Sequence, residues 1–374
     1  MEQRKLGRTG LDVGVVGLGT EYLNGQPRDT VVATVREAID RGVNYFDLVF
    51  SFPEYLDNLA VALEGRRERV ILTGHLGSTE KDGQYHKSRS VKQSETYFLD
   101  LLDRLGTDYV DVLFLHNCNT ERDYETLVKP NGIRDLALRL QAEGRARFIG
   151  FSGHSVPVAL QAVESGHVDV VMFAVNLAAN AAPGKRALHQ ACVAHGVGIV
   201  AMKPFAGGKL LDQQRTIQVA KYQTGGEALK LRTSDAEPNT PVRCISYALS
   251  QVGVCTMVPG CRDVDELRAA LAYVEAGEET RDFSPLLAQF ERYVEGECVY
   301  CNHCLPCPVH IDVGQVNHLL DAAGEAVSPD LQAAYDALPV RASECTACGA
   351  CVERCPFGVD VLARIEQAVA VFEA

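Results

Sequence analysis

Two hydrophobic patterns alternate along the first 276 residues of the chain. Short apolar runs rich in Val and Ile are typical of buried strands, whereas apolar residues that recur every three or four positions are typical of amphipathic helices. In the stretch 30–41, for example, Val31, Val35 and Ile39 lie on one helical face. The first pattern predicts strands at 13–19, 44–47, 70–73, 110–116, 147–152, 168–173, 198–202 and 255–259. The second predicts helices at 30–41, 53–64, 90–105, 131–143, 156–165, 185–195, 241–250 and 263–275.

This alternation predicts an α/β fold of the (β/α)8 TIM-barrel class, because eight strand–helix pairs in about 250 residues are what such a barrel needs. A doubly wound parallel sheet is the alternative. That fold often binds a dinucleotide at a G-x-G-x-x-G turn after its first strand. Residues 16–20, VGLGT, match that turn only in part and are equally compatible with a strand end built from small residues.

Polar residues stand at the predicted strand ends, which is where barrel enzymes carry their chemistry. A single buried His is more often structural than catalytic, but several polar groups at one end favour a site. Beyond Lys203, a long and weakly periodic stretch opens with Gly207 and Gly208 and reaches Asn239, and a loop of this length is typical of a lid or a binding loop. The polar strand-end residues are Asp47, His75, His116, Ser152, His154, Asn176 and Lys203.

Eight of the 13 cysteines form two runs near the C-terminus. The second run and its proline have the spacing C-x2-C-x2-C-x3-C-P, which is the bacterial ferredoxin motif, and the first run is one residue shorter before its last cysteine. Structural zinc, which also binds paired C-x2-C motifs, is the alternative. The first run is Cys298, Cys301, Cys304 and Cys307, followed by Pro308, and the second is Cys345, Cys348, Cys351 and Cys355, followed by Pro356.

In two-cluster ferredoxins the fourth cysteine of each run binds the other run's cluster. We therefore predict two 4Fe–4S clusters with crossed ligation. The segment between the runs contains helical stretches at 314–323 and 330–338, so it resembles the helical ferredoxin modules of anaerobic respiratory enzymes. One predicted ligand set is Cys298, Cys301, Cys304 and Cys355, and the other is Cys345, Cys348, Cys351 and Cys307.

Composition narrows the partners and the compartment. The formal net charge of −13 disfavours nucleic acid and anionic membranes as partners. No run of about 18 apolar residues occurs and the N-terminus lacks a secretory signal pattern, so we expect a cytoplasmic protein with no membrane association. The cytosol is reducing, which favours metal ligands over disulfides. The five cysteines outside the two runs are predicted to be small buried hydrophobic residues: Cys118, Cys192, Cys244, Cys255 and Cys261.

Six segments of the chain resemble the aldo/keto reductase superfamily, and the cysteine runs make it similar to those members that are fused to a C-terminal ferredoxin-like domain. The resemblance implies an aldo/keto-reductase-like barrel at 1–276, followed at 277–374 by a linker helix and a domain with two 4Fe–4S clusters. The segments are RKLGRTGL at 4–11, similar to the hairpin that caps the bottom of the barrel, and GVNYFD at 42–47, DYVDVLFLH at 108–116, IGFS at 149–152, AMKP at 201–204 and VPG at 258–260, similar to its strands.

The superfamily uses an Asp, Tyr, Lys and His tetrad to pass hydride between NADPH and a carbonyl, with Tyr as the general acid. The resemblance assigns the Asp to Asp47 and the His to His116. Phe52 stands where the Tyr is expected and His75 where the Lys is expected. Tyr55 is the nearest phenol; we interpret it as a helix-surface residue, with a substitute acid as the alternative. The predicted catalytic residues are therefore Asp47, His75, His116 and Tyr55.

The resemblance also implies a nucleotide site for NADP or NAD. Ser152 and Asn176 match the positions that hold the nicotinamide amide. Lys203, Gly207 and Gly208 are candidates to hold the pyrophosphate, and Arg262 and Arg268 are candidates for a 2′-phosphate. The Asn expected near the adenine is Ala270.

The leading hypothesis is an NAD(P)-linked oxidoreductase that acts on a small carbonyl or alcohol and transfers electrons through its two clusters, with a redox partner protein as a further candidate. Ordinary carbonyl reduction is expected to be slow because Phe52 has no proton to give and His75 is shorter than Lys. The alternative is a ferredoxin-type electron-transfer protein whose barrel is only a docking module. A third, weaker hypothesis gives the clusters a purely structural role.

Overall fold

The computed structural model describes residues 1–176, 179, 184–211, 216–218, 230–232, 239–283, 298, 302, 304–323, 327, 329–355 and 358–373. In chain order, the strands among these residues are β1 (Gln3–Lys5), β2 (Asp12–Gly14), β3 (Leu18–Gly19), β4 (Tyr45–Asp47), β5 (Ile71–Leu76), β6 (Ser78–Lys81), β7 (Gln84–Lys87), β8 (Val110–Leu115), β9 (Ala146–Ser152), β10 (Val170–Ala174), β11 (Gly198–Met202), β12 (Thr216–Gln218), β13 (Lys230–Arg232) and β14 (Val254–Val258).

Eight parallel strands form a barrel, as the hydrophobic pattern predicts. Their order is β3-β4-β5-β8-β9-β10-β11-β14. Two isolated parallel bridges, Val16 to Met257 and Gly19 to Gly260, join the last strand to the first segment and close the ring. All eight predicted barrel strands are present, so the doubly wound sheet is excluded.

Side-chain alternation along these strands separates two apolar cores. The inner core fills the barrel and includes Tyr45, Val112 and Phe114. The antiparallel hairpin of β1 and β2 lies below it, and Leu6 and Val13 join the inner core there. The outer core packs the other strand face against the surrounding helices. The bottom of the barrel is therefore filled with apolar side chains, which leaves polar chemistry to the opposite end.

The outer helices agree with the predicted ones to within two residues at each end. They are Arg28–Asp40, Pro53–Leu63, Val91–Leu105, Ile133–Ala142, Val156–Glu164, Lys185–Ala194, Pro241–Ser250 and Val264–Glu275. The helix Glu121–Val128 is an addition that the pattern did not predict, and the short helix Glu278–Arg281 follows the barrel.

Two antiparallel hairpins were also not predicted. The hairpin of β6 and β7 follows β5 and turns at Asp82 and Gly83, which have φ values of 53° and 75°. The strands β12 and β13 pair inside the stretch that we predicted as a weakly periodic loop, so that part of the prediction is wrong. The segments 212–215, 219–229 and 233–238 of this stretch lie outside the described residues.

The C-terminal region contains a second, smaller apolar core. The helices Val313–Ala323 and Pro329–Asp336 correspond to the two predicted stretches, and the helices Ala350–Arg354 and Val361–Phe372 follow them. The core includes Val316, Tyr335 and Phe372, and the rings of Tyr335 and Phe372 stack with centroids 4.3 Å apart. This core supports a separate helical domain; the boundary at residue 276 stays a prediction. Among the described helices, none combines the length and the apolar character that crossing a membrane requires.

Candidate functional site

The interior faces of three neighbouring strands bring four polar side chains to the C-terminal end of the barrel. In β5, Ile71, Thr73 and His75 alternate inward, so the predicted strand end at 73 is wrong and His75 lies within the strand. Asp47 ends β4, and His116 follows β8. All four polar residues, Asp47, Thr73, His75 and His116, are at most 7% exposed.

These groups form a continuous chain of hydrogen bonds. Asp47 Oδ1 lies 2.9 Å from His75 Nε2, and His75 Nδ1 lies 3.0 Å from His116 Nδ1. Thr73 donates its hydroxyl to Asp47 Oδ1 at 2.7 Å. The His75 ring stacks on Phe114 with centroids 4.9 Å apart. The aspartate and the inner core therefore hold both imidazoles in fixed orientations.

The hydrogen-bonded series continues from His116 to a phenol that the sequence analysis did not identify. Tyr85, on β7, places its Oη 2.7 Å from His116 Nε2, and it is 4% exposed. The available signal was the Asp82-Gly83 pair, which is typical of a two-residue hairpin turn. No sequence signal shows that this hairpin folds back over His116, because that contact depends on tertiary structure.

The hydrogen-bond directions follow from donor and acceptor counts when Asp47 is a carboxylate and both imidazoles are neutral. The carboxylate accepts from His75 Nε2–H, so His75 Nδ1 must accept from His116 Nδ1–H. The Nε2 atom of His116 is then an acceptor, and Tyr85 must donate to it. In this state every hydrogen bond in the series is donated toward Asp47. The series can therefore take up one further proton at the Tyr85 end and deliver one to Asp47.

The positions around Tyr55 correct one interpretation. Tyr55 is 2% exposed, so it is not a helix-surface residue. Its hydroxyl hydrogen-bonds to Thr20, and burial raises its pKa far above the usual value for tyrosine. Phe52 is half-buried, with its ring 5.3 Å from that of Phe50. The Tyr55 hydroxyl is thus engaged by Thr20, and a catalytic role for Tyr55 stays a prediction.

The residues predicted for the nicotinamide lie at the next two strand ends. Ser152 ends β9 and accepts a hydrogen bond from the Asn117 amide at 3.0 Å. Asn176 follows β10 and donates its side-chain amide to the Lys203 carbonyl at 2.7 Å. Both residues are at most 5% exposed. They share the C-terminal end of the barrel with the Asp47 chain, as expected.

Charged groups beside this end influence one another. Burial raises the pKa of Glu21, the Lys203 ammonium opposes this rise, and Asp47 adds to it. Burial lowers the pKa of His154 well below the usual value, and the charges of Lys203 and Lys185 add to the lowering. The Lys203 charge therefore acts on both Glu21 and His154.

The candidates for the phosphates lie on loops and on the outer surface. Gly207 and Gly208 have φ values of 70° and 87°, which favour glycine, and Gly208 is exposed. Arg262 pairs with Glu266 at 2.6 Å, and Arg268 pairs with Glu37 at 2.7 Å. Both guanidinium groups are thus engaged by carboxylates, and a phosphate has to compete with those partners.

The second cysteine run shares a recess with one cysteine of the first. The recess is lined by Cys307 together with Cys345, Cys348 and Cys351. Its other walls are mainly apolar and include Ile311 and Ile365. Four thiols and an apolar wall fit the ligand chemistry of a 4Fe–4S cluster, and the four cysteines are one of the two crossed ligand sets.

The remaining predicted ligands are Cys298, Cys304 and Cys355, and Cys301 lies outside the described residues. The Arg354 guanidinium, next to Cys355, donates to the carbonyls of Cys304 and Pro306 at 3.4 and 2.8 Å. This contact links the end of the second run to the first. The full crossed assignment stays a proposal.

The five cysteines outside the runs are buried, in agreement with their predicted role. Each is at most 8% exposed. Burial raises the thiol pKa to about 12 for Cys118, Cys192, Cys244 and Cys261. Such thiols stay protonated and are poor nucleophiles.

Two family models match the two parts of the chain. The model of the aldo/keto reductase family matches residues 11–286, and that of a 4Fe–4S dicluster domain matches residues 296–359. L-galactose dehydrogenase of Arabidopsis thaliana is 30% identical over 314 residues, which cover 79% of this chain and 95% of that protein. Pyridoxal 4-dehydrogenase of Microbacterium luteolum is 22% identical over 319 residues, which cover 73% and 93%.

The fold also has solved counterparts. The aldo-keto reductase AKR11C1 of Bacillus halodurans, in its holo form, superposes with a TM-score of 0.63 at 23% identity, covering 79% of this chain and 98% of that one. The family model spans well over half of the chain, and the barrel agrees with it. The chain therefore belongs to the aldo/keto reductase family and is an oxidoreductase that carries a C-terminal 4Fe–4S dicluster domain.

Proposed function

We propose that this oxidoreductase interconverts an alcohol and a carbonyl on a small molecule, with a nicotinamide nucleotide as the hydride carrier. The observation that carries the proposal is the hydrogen-bonded chain from Asp47 through His75 to His116 at the catalytic end of the barrel. A nicotinamide nucleotide, when bound, supplies or accepts hydride at the substrate carbon. The protein's own part is to orient the substrate and to move one proton.

The hydrogen-bonded side chains of His116, His75 and Asp47 transfer this proton in either direction. When an alcohol is oxidised, its proton enters at the His116 end, the Nδ1 proton of His116 moves to His75, and the Nε2 proton of His75 moves to Asp47. When a carbonyl is reduced, the same hops run in reverse. General acid–base groups of this kind typically contribute about 10²–10⁴ in rate. His75 thus carries the proton itself, whereas the family's Lys acts through the electric field of its charge.

Ser152 and Asn176 are the residues that we propose hold the nicotinamide amide. Lys203, with Gly207 and Gly208, is proposed to hold the pyrophosphate, since it follows β11 and its charge acts on Glu21 and His154 beside the strand ends. Arg262 and Arg268 are proposed contacts for a 2′-phosphate, although their carboxylate partners weaken the case for NADP over NAD. The names of the relatives suggest a sugar or an aromatic aldehyde as substrate class.

Electron exchange between the clusters and a redox partner protein is the second candidate function. The observation that favours it is the exposure of Cys348, because an exposed ligand lets a partner approach the cluster. The docking-module alternative remains in competition, since Phe52 and His75 depart from the family's tetrad. It predicts that the barrel binds no nucleotide.

Nucleotide binding separates these proposals. Anaerobic calorimetric titration of the full chain with NADH and NADPH is expected to show binding that weakens in Ser152→Ala and Asn176→Ala. Ser250→Ala, an exposed serine on the outer helix Pro241–Ser250, is the matched control and should bind normally. If neither nucleotide binds at millimolar concentration, the docking module replaces the proposed function.

Turnover tests the proton chain. We suggest L-galactose and pyridoxal with the oxidised nucleotides and propanal with the reduced ones as probes. His75→Ala and His116→Ala should each lower kcat by about 10²–10⁴. The exposed His167 supplies the control His167→Ala. Equal rates in all three variants would place the chemistry on other residues.

A further inference from the structure

The hairpin of β6 and β7 presents different residues on its two faces. Successive side chains of a strand point to opposite sides, so Tyr85 faces one way while Gln84 and His86 face the other. Tyr85 points to the barrel interior, where it meets His116 and lies 5.8 Å from the Phe50 ring. Gln84 points to the C-terminal domain, where it meets Cys307. One short hairpin therefore touches both the proton chain and the cluster domain.

The contact with the cluster domain is specific. The Gln84 side-chain amide donates to the Cys307 carbonyl at 2.9 Å and accepts from the Cys307 amide at 3.0 Å. Its nitrogen also lies 2.6 Å from His310 Nδ1. A side-chain amide that satisfies both backbone groups of one residue fixes the position of that residue. Here the residue is one of the cysteines that line the recess.

The hairpin is tied to the barrel at its base. Ser78 accepts a hydrogen bond at its carbonyl from Ser51 at 2.9 Å, and the Ser78 hydroxyl donates to the Val49 carbonyl at 2.5 Å. Tyr97 donates to the Glu80 carbonyl at 3.0 Å. Hydrogen bonds therefore fix the hairpin to the barrel at Ser78 and Glu80 and to the C-terminal domain at Gln84. Tyr85 is the residue next to Gln84.

We propose that Tyr85 supplies the phenol that Phe52 lacks, and that Gln84 is a positioning residue that places this phenol under the control of the cluster domain. The inference rests on the proposed function and deepens it. Loss of the clusters releases the loop at Cys307, which releases Gln84 and moves Tyr85 away from His116. The reductase chemistry is then switched off when the chain lacks its clusters.

The proton step balances with Tyr85 at the outer end. In alcohol oxidation the substrate O–H bond breaks and its proton binds Tyr85 Oη as the phenolic proton moves to His116 Nε2. The proton originally on His116 Nδ1 moves to His75, and that on His75 Nε2 moves to Asp47. A bound oxidised nicotinamide nucleotide would accept the hydride, with its electron pair, from the substrate carbon. Carbonyl reduction is the reverse of each transfer.

Amide hydrogen exchange tests the coupling without requiring turnover. The full chain with intact clusters should show exchange at residues 78–87 that rises about tenfold in Gln84→Ala, because the hydrogen bonds to Cys307 are lost. Lys81→Ala is the matched control: Lys81 is exposed and lies opposite Gln84 in the hairpin register. Chelation of iron from the wild type should produce the same rise, and should add little in Gln84→Ala. Exchange that ignores cluster removal, or equal exchange in both variants, overturns the coupling.

Steady-state kinetics test whether the Tyr85 phenol takes part in the proton transfer. Tyr85→Phe keeps the ring and should lower kcat by about 10²–10⁴ while nucleotide affinity stays unchanged. Tyr124→Phe removes a buried hydroxyl on the outer helix Glu121–Val128 and should behave as wild type. Gln84→Ala should lower kcat at unchanged iron content, and Gln84→Glu, which keeps an acceptor for the Cys307 amide, should restore part of it.

The outcomes separate this inference from the proposed function. An active wild type with an equally active Tyr85→Phe variant overturns the phenol assignment and leaves the proposed function standing. A wild type that binds no nucleotide and turns over none of the probes overturns the proposed function, and the phenol assignment with it. The exchange experiment still decides whether the hairpin is coupled to the clusters.

Discussion

At the scale of single residues, Asp47 sets the polarity of the whole proton chain. It accepts from both Thr73 and His75 through the same oxygen. Thr73 in turn accepts from the Leu48 amide at 3.1 Å, so the hydroxyl has its proton directed at Asp47. Because the carboxylate can only accept, it orders the imidazole protons behind it. The two histidines then act as one unit.

Replacing Asp47 by Asn removes the charge of the side chain and keeps its size and its hydrogen-bond acceptor. In Asp47→Asn the amide oxygen still accepts from His75, but the side chain no longer takes up a proton. We expect kcat to fall by about 10²–10⁴ with KM nearly unchanged. Steady-state assays should include Asp135→Asn, a surface pair with Arg134, as the control. An Asp47→Asn variant within about twofold of wild type would show that Asp47 is not the proton acceptor, since a lost acid–base group costs far more.

At the scale of elements, the eight barrel strands and their helices were predictable because each carries its own hydrophobic period. The hairpin of β6 and β7 was not, since STEK and QYHK contain almost no apolar residues. The Asp82-Gly83 turn was the only local signal for it. The positions of Asp47 and His116 followed from the family's motifs, but Tyr85 is absent from those motifs and reaches His116 only through tertiary folding.

The hairpin turn offers a test of this element. Gly83 has a φ of 75° and an added Cβ there meets no atom within 4 Å, so Gly83→Ala strains only the backbone. The left-handed conformation should cost about 1–2 kcal/mol. We expect faster amide exchange at 78–87 and a lower kcat. Gly277→Ala, at a φ of −75° in open space, is the control. Unchanged exchange in Gly83→Ala would mean that the turn does not hold the hairpin.

The helix Lys185–Ala194 makes the barrel sensitive to acid. Burial lowers the pKa of His189 from 6.5 to about 4, and Lys185 adds to the lowering. The unfolded chain therefore binds more protons than the folded one between these two pKa values, and stability falls as the pH falls through that window. Because of His189, the free energy of unfolding should fall by about 1 kcal/mol when the pH is lowered from about 7.5 to about 5.5.

Urea unfolding of the wild type and of His189→Gln at the two pH values measures this cost. The loss of unfolding free energy on acidification should be smaller in His189→Gln. Some loss should remain, because burial also lowers the pKa of His154. An identical loss in both proteins would show that His189 is protonated as easily in the folded chain as in the unfolded one.

At the scale of the whole molecule, a reductase barrel and a cluster domain meet at the Gln84 contact. The sequence predicted both domains, because the barrel repeats and the cysteine spacing are local signals. It did not predict their contact, since neither Gln84 nor His310 belongs to a motif. Arg354 adds a second link, between the two cysteine runs. The placement of one domain on the other was therefore accessible only from the structure.

We predict about eight irons and eight sulfides per chain, from two clusters. Pairs of substitutions test the crossed ligation. Cys307→Ala with Cys345→Ala should leave about four irons, because both residues serve one cluster in the crossed arrangement. Cys307→Ala with Cys304→Ala should leave almost none. Direct ligation within each run gives the opposite pair of results, and stoichiometric zinc without sulfide would refute the clusters.

Single-turnover kinetics test the central claim, that the chain from Asp47 to His116 moves the proton in a nicotinamide-linked reaction. The near-ultraviolet absorbance of the reduced nicotinamide is followed after the full chain and nucleotide are mixed with L-galactose, pyridoxal or propanal, in the wild type and in His116→Ala. We predict that at least one probe changes this absorbance in the wild type, and that His116→Ala slows the change by about two orders of magnitude. No absorbance change with any probe, or equal rates in the two proteins, would contradict the account.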